Sequence, residues 1–351
     1  MRERGHWQVG VNLLSSMPDM RTIPNEISHN AAISACGKGG QWQLALFILN
    51  CMPDMRVIPN EITYSAAISA CEKGGQWELA LSLLNTMPNM MAIPNEFSYG
   101  AAISACEKGA QWQLALSLLS SMCDVRVFPS EVSYNAAVSA FEKGRQWQLA
   151  LSLLSSMHEM RLIPNEITYS AAISACGKGG RWELALSLLN SMRYSSAIPN
   201  EISYNAAISA CEKGGRWELA LSLLNSMPAM SAIPNEISFN AAISACEKGW
   251  QWQIALSILS SMLDSRVSPN EISYNAAIGV LLKALQWQLA LSLLSSMPVR
   301  RMIPDEISYS LAIGACSTGG QWQLALNLLS ILPTMRFGSK RNQLHRRDWY
   351  L

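Results

Sequence analysis

The sequence predicts an all-α solenoid of helix-turn-helix repeats, on three observations. A 35-residue unit, EISYNAAISACEKGGRWELALSLLNSMPAMSAIPN at 201–235, recurs without a register slip from Glu26, Glu61, Glu96, Glu131, Glu166, Glu201, Glu236, Glu271 and Glu306. Each unit holds two stretches of helical apolar spacing, and neither can bury its apolar face without a neighbouring unit. Half of the 351 residues are apolar, 15% are charged and the net charge is +1. That composition suits a packed array, excludes disorder and offers no strong field to a charged partner.

Residues 1–25 read as a partial repeat, second helix only, because Trp7 stands where Trp42 and Trp217 stand in later units. Val11, Leu13 and Leu14 then lack a partner helix on one side, which points to lost upstream sequence or to end-to-end association through an uncapped N-terminus. No signal-type or transit-type segment precedes the apolar spacing. No apolar run approaches the ~18 residues that suggest a membrane span.

Residues 26–340 read as nine tandem repeats, the last degenerate. In helix A, Ile202, Tyr204, Ala207, Ile208 and Cys211 follow near-helical spacing until Gly214-Gly215, a pair able to take the left-handed conformation that ends a helix. Helix B then places Trp217, Ala220, Leu221, Leu224 and Met227 on one stripe, with Glu218, Ser222 and Asn225 outward. The tryptophan recurs in every full unit and is expected as the large core block. Pro228 and Pro234 suit the connector, and Asn235 stands where an N-cap belongs. Ser317-Thr318 and Leu332 depart from the pattern in the last repeat, and residues 341–351 close the chain as a basic tail.

Cys36, Cys71, Cys106, Cys176, Cys211, Cys246 and Cys316 share the eleventh place of the unit, where Phe141 and Leu281 also occur. A place that takes Cys, Phe and Leu alike is a buried apolar one, so these thiols read as reduced core residues. Cys51 and Cys123 fall elsewhere and no CxxC pair occurs, so no metal is expected.

A different side of helix A carries Ile202, Asn205, Ser209 and Glu212. Its fifth place reads Asn30, Ser65, Gly100, Asn135, Ser170, Asn205, Asn240, Asn275 and Ser310, while the neighbouring Ala-Ala-Ile is nearly constant. Small polar residues varying on a constant helix suggest a readout surface.

The 35-residue period, the I-S/T-Y-N start of helix A, the Lys-Gly-Gly turn, the A-L-x-L-L run of helix B and the Pro-Asn or Pro-Asp end resemble pentatricopeptide repeats over nearly the whole chain. The period and the missing W-x-x-L-G-x-x-Y pattern set tetratricopeptide repeats aside. The tryptophan after the turn, the serine-rich helix B and the low charge depart from the family. The resemblance implies a right-handed α-solenoid superhelix that binds single-stranded RNA, one base per repeat, through two or three side chains. It assigns base readout to the fifth and last residues of each unit. On that basis Asn30 with Asn60, Asn135 with Asn165, Asn205 with Asn235, and Asn240 with Asn270 resemble pyrimidine readers that prefer cytosine. Ser65 with Asn95 and Ser170 with Asn200 resemble adenine readers, and Asn275 with Asp305 a uracil reader. Gly100 with Ser130 matches no pair, and Ser310 with Lys340 is off pattern. With RNA threaded 5′ to 3′ from the N-terminus, the implied site is Y A N Y A Y Y U. The aliphatic second residues that sandwich the bases would be Ile27, Ile62, Phe97, Val132, Ile167, Ile202, Ile237, Ile272 and Ile307. The family also implies a chloroplast or a mitochondrion and a role in RNA processing, stabilisation or editing, with catalysis supplied by protein partners.

The side-chain chemistry suits base edges independently of the family: an amide donates and accepts, a hydroxyl does either, and a carboxylate only accepts. Lys38, Lys73, Lys108, Lys143, Lys178, Lys213, Lys248 and Lys283 recur near the end of helix A and are candidates for phosphate contacts. Structural roles compete for the same residues. A lysine complements the helix dipole, an asparagine caps a helix, and the glutamate beside most of the lysines weakens their field. A protein-binding α-solenoid scaffold without direct RNA contact is the alternative function. An enzyme is not expected: His6, His29, His158 and His345 share no repeat place, a zinc-deaminase pattern is missing, and the glycine pairs belong to turns. No cofactor is implied.

Overall fold

The computed structural model describes residues 6–338 except 18, 19, 21, 193, 196 and 301. The tail at 341–351, Lys340 and residues 1–5 lie outside the described residues. Those described form nineteen α-helices and no strand. The protein is all-α, built of helical repeats.

Two compact units divide the chain, the first running to Gly179 and taking in Tyr194–Ala197, the second comprising Gly180–Arg193 and the chain from Ile198 onward. In the first unit, α1 (His6–Ser16) precedes the A helices α2 (Glu26–Lys38), α4 (Glu61–Lys73), α6 (Glu96–Lys108), α8 (Glu131–Lys143) and α10 (Glu166–Lys178). Between them run the B helices α3 (Trp42–Cys51), α5 (Trp77–Thr86), α7 (Trp112–Asp124) and α9 (Trp147–Glu159). The second unit holds the B helices α11 (Trp182–Met192), α13 (Trp217–Ser226), α15 (Trp252–Asp264), α17 (Trp287–Val299) and α19 (Trp322–Gly338). They alternate with the A helices α12 (Glu201–Lys213), α14 (Glu236–Lys248), α16 (Glu271–Lys283) and α18 (Glu306–Thr318). Within each unit the A helices stack on one another in chain order, and the B helices pack against the A helices before and after them.

Local chemistry sets these boundaries. Asn200 has extended backbone, its side chain accepts from the Ser203 N–H, and the Ser203 hydroxyl answers at the Asn200 backbone N–H, a reciprocal capping box. The same box opens every other A helix except α8, where the cap Ser130 makes no such bond. At the other end it is the second residue of the Gly-Gly pair that turns left-handed, Gly215 at φ 68°, and Ala110, Arg145, Trp250 and Leu285 take the same conformation in its place. A second left-handed residue stands in each described connector after helix B, for example Arg126 and Ser231.

Burial follows the helical period on both helices. Tyr204, Ala207, Ile208, Ala210 and Cys211 meet Ala220, Leu224 and Met227 in the interior, all less than a tenth exposed. Removing one large apolar side chain of this kind from water stabilises by about 1.5–3 kcal/mol. The seven eleventh-place cysteines, Phe141 and Leu281 are all fully buried, as their shared place implies. Burial pushes the thiols of Cys71, Cys106, Cys176, Cys211 and Cys246 up to about 11.

Tryptophan corrects the expected core. Trp217 is half-buried, as are the equivalent residues from Trp42 to Trp287, and Trp322 is exposed. Each tryptophan opens its helix, so no preceding turn covers it. Instead Trp42, Trp217 and most of their equivalents lie against the glycine that ends the next A helix: a Cβ built on Gly249 would stand 2.2 Å from Trp217 Cδ1. The first glycine of the pair therefore makes room for an indole, while the second supplies the turn.

Candidate nucleic-acid interface

Stacked A helices bring the fifth place of one repeat beside the N-cap of the next. Asn205 Nδ2 donates to Asn235 Oδ1 at 3.2 Å, Asn240 Nδ2 to Asn270 Oδ1 at 3.4 Å, and Asn275 Nδ2 to Asp305 Oδ1 at 3.1 Å. Asn135 and Asn165 meet at the Thr168 hydroxyl, which donates to Asn135 Oδ1 and lies 3.1 Å from Asn165 Oδ1. These pairs, inferred from resemblance, are adjacent in space. Asn30 and Asn60 share no bond, and the Asn30 Oδ1 is buried without a partner.

The serine pairs behave differently. Ser65 Oγ bonds the carbonyl of Glu61 one turn back at 2.7 Å and reaches Asn95 Oδ1 at 3.4 Å. Ser310 Oγ likewise turns to the Glu306 carbonyl at 2.6 Å. Gly100 adds no side chain beside Ser130, whose hydroxyl meets Ser133 at 3.3 Å. Ser170 and Asn200 fall in different compact units.

Capping commits the oxygen of the last residue. Asn235 Oδ1 accepts from the N–H groups of Ile237 at 3.1 Å and Ser238 at 3.2 Å, so the group left uncommitted is its NH2. Capping thus occupies one end of the amide and leaves the other end for a different partner. Asp305 caps α18 in the same way, through Oδ1, and keeps Oδ2 as an acceptor. Burial raises its carboxyl, but hydrogen bonds from Ser308, Asn275 and the Ile307 N–H outweigh that and hold it below the ordinary carboxylate value.

The second-place residues Ile27, Ile62, Phe97, Val132, Ile167, Ile202, Ile237, Ile272 and Ile307 are all exposed, Phe97 by 75% and Ile202 by 66%. Exposed branched side chains beside paired amides are what stacking on flat bases needs. A second exposed apolar series, including Ile58, Ile93, Phe128 and Ile233, stands two residues before the N-caps and was not singled out from sequence.

Most of the candidate phosphate lysines have partners within the protein. Lys108, Lys143, Lys178, Lys248 and Lys283 pair with Glu72, Glu107, Glu142, Glu212 and Glu247 of the preceding repeat at 2.6, 2.8, 2.8, 3.6 and 3.1 Å. Stacking sets these lysines beside the glutamates of the preceding repeat, so these five cations are committed between repeats. Lys38, Lys73 and Lys213 end their helices at the same place, and Gly37 stands where a glutamate would meet Lys73.

Two sets of residues went unread. Glu26, Glu131 and Glu236, at the first place, accept from the amides of Asn60, Asn165 and Asn270. Ser or Thr stands at the third place, fully buried from Thr63 to Ser308, and Thr168, Ser238 and Ser308 donate to the fifth-place oxygens of Asn135, Asn205 and Asn275. Both recur visibly in the sequence, but helix capping accounts for them there. Among the described residues no group of three or more His, Cys, Asp or Glu could hold a metal, and no helix is long and apolar enough to cross a membrane.

The model described as the PPR repeat family matches residues 129–178, 199–248 and 269–318, and that described as the PPR repeat matches 27–57, 62–90, 167–196 and 237–267. Together these matches cover most of the chain, which belongs to the pentatricopeptide repeat family. A comparison with curated proteins found no match. Among solved structures the chain is similar to the pentatricopeptide repeat protein PPR10 from maize, at 20% identity and TM-score 0.63, over 95% of this chain and 53% of that one. It is also similar to PPR10 in complex with an 18-nt psaJ RNA element, at 20% identity and TM-score 0.66, over 94% and 52% of the two chains. The chain thus spans about half the length of the PPR10 chains it matches, and likeness at this identity establishes the fold.

Proposed function

We propose that the chain binds single-stranded RNA selectively, taking one base per repeat between successive second-place side chains. The observation that carries this reading is the convergence of the fifth-place and last-place side chains beside an exposed apolar residue, as in Asn205, Asn235 and Ile202. An Asn–Asn pair whose oxygens are committed offers N–H donors, which match the adjacent N3 and O2 acceptors of cytosine. The Asn275–Asp305 pair offers a donor and a carboxylate acceptor, which match a carbonyl and the N3–H of uracil. Family membership and the likeness to RNA-bound PPR10 support the same reading. By family, the setting is organellar RNA processing, stabilisation or editing, with a recruited protein supplying catalysis.

The committed lysines and the apolar series before the N-caps favour one second reading, a scaffold that binds protein without direct RNA contact. The two are separated by titrating a labelled 14-mer RNA containing CANCACCU, N being any base, against one with its pyrimidines and adenines exchanged, at two salt concentrations. Tight binding to the first alone supports RNA reading. Binding to neither by a correctly helical sample removes it and leaves the scaffold.

A further inference from the structure

The Asn–Asn pairs are alike in sequence, yet their oxygens are held differently. Ser238 Oγ donates to Asn205 Oδ1 at 2.5 Å and Ser308 Oγ to Asn275 Oδ1 at 2.6 Å, and Thr168 makes the same bond to Asn135. All three hydroxyls are fully buried. A hydroxyl has one proton, and in these repeats the fifth-place amide takes it at the shorter distance. In the repeat read by Asn240 and Asn270, Ser273 Oγ donates instead to Asn270 Oδ1 at 3.0 Å, and the Asn240 Oδ1 is buried with no partner.

We propose that the third-place hydroxyl of the following repeat is a positioning residue that fixes the polarity of the fifth-place amide, and so decides how strictly each repeat chooses its base. This rests on the reading of the amide pairs as base readers. With its oxygen held by Ser238, Asn205 can offer a base only N–H, and a base lacking two acceptors leaves a donor unpaired. With its oxygen unheld, Asn240 can turn over and offer that oxygen to a base donor. Two pairs of identical sequence thus differ in selectivity because of a buried group that touches no RNA.

The test compares the sixth and seventh bases of CANCACCU, read by Asn205–Asn235 and Asn240–Asn270. In the full wild-type chain, changing the sixth base from cytosine to uracil is expected to weaken binding about tenfold, and the same change at the seventh base clearly less. Ser238→Ala should bring the sixth base down to the seventh, and Ser238→Thr should keep the wild-type difference. Because Ser238 also completes a capping box, Ser238→Ala can lower affinity through stability alone; that loss would be equal for both RNAs and would leave the ratio unmoved. Side-chain amide resonances of Asn205 in the RNA-free chain supply the second readout, ordered in wild type and averaged in Ser238→Ala. Equal discrimination at both bases, or an unchanged ratio in Ser238→Ala, overturns the inference. Ordered Asn205 resonances in a chain indifferent to every base would instead locate the failure in the RNA reading.

Discussion

Asn205 Nδ2 lies 3.2 Å from Asn235 Oδ1, although thirty residues separate them. The stacking of α12 on α14 makes the contact, and it gives the pair its donor character. Serine at the fifth place withdraws that donor, since Ser65 and Ser310 both turn their hydroxyls to the carbonyl four residues back. Asn205→Ser with Asn235 retained should therefore move the sixth base from cytosine toward adenine, by roughly tenfold to a hundredfold in relative affinity. Competition binding with the four single-base variants measures it.

Trp217 and Gly249 form a second interlock between neighbouring repeats. An added Cβ on Gly249 would overlap the indole, so Gly249→Ala should destabilise by about 1–3 kcal/mol in chemical denaturation. In a Trp217→Ala background the penalty should vanish, leaving a coupling of about 0.5–3 kcal/mol in the double-mutant cycle. Ala284 occupies the equivalent place after α16, where the indole concerned is that of Trp252.

Freed lysines should strengthen RNA binding. Glu107→Gln and Glu142→Gln release Lys143 and Lys178 from pairs at 2.8 Å. Surface pairs of this kind contribute about 0–1 kcal/mol, so the fold should persist. Affinity at low salt should rise, and the slope of log K against log salt should steepen by about 0.7 per lysine that reaches a phosphate. An unchanged slope would place the phosphates away from this row.

Buried thiols set the alkaline behaviour. Five of them are held up at about 11 against an ordinary value of 9, so the folded state keeps them neutral where the unfolded chain ionises. Their contribution is complete below about pH 8.5 and declines as pH rises through 11. The denaturation midpoint should fall across that window. At pH 8 an alkylating reagent should modify the exposed Cys123 first and leave the seven eleventh-place thiols unreacted until the chain unfolds.

Much of this was legible in the residues. The period, the glycine stop and the N-cap asparagines report local rules, and the interior of helix A follows from its apolar spacing. Trp217 was misjudged because helical spacing alone places it on the buried stripe, whereas burial also depends on position along the helix, and a first-turn residue has nothing ahead of it. The partners of the lysines were not legible, because Lys143 pairs with Glu107, thirty-six residues away, and the adjacent Glu142 in turn pairs with Lys178. Such cross-repeat partners appear only once the helices are stacked. The second left-handed residue was hidden because arginine, methionine or serine holds it in place of glycine.

The most direct test of one-base readout is Asp305→Asn. Asparagine caps equally well, as Asn235 and Asn270 show, so the fold is retained while the free acceptor Oδ2 becomes an NH2 donor. Binding of wild type and variant would be measured on RNAs ending the site in uracil or in cytosine. The account predicts a crossover at the eighth base alone, uracil favoured by wild type and cytosine by the variant, each by about tenfold. The same ranking of the two RNAs by both proteins would contradict it.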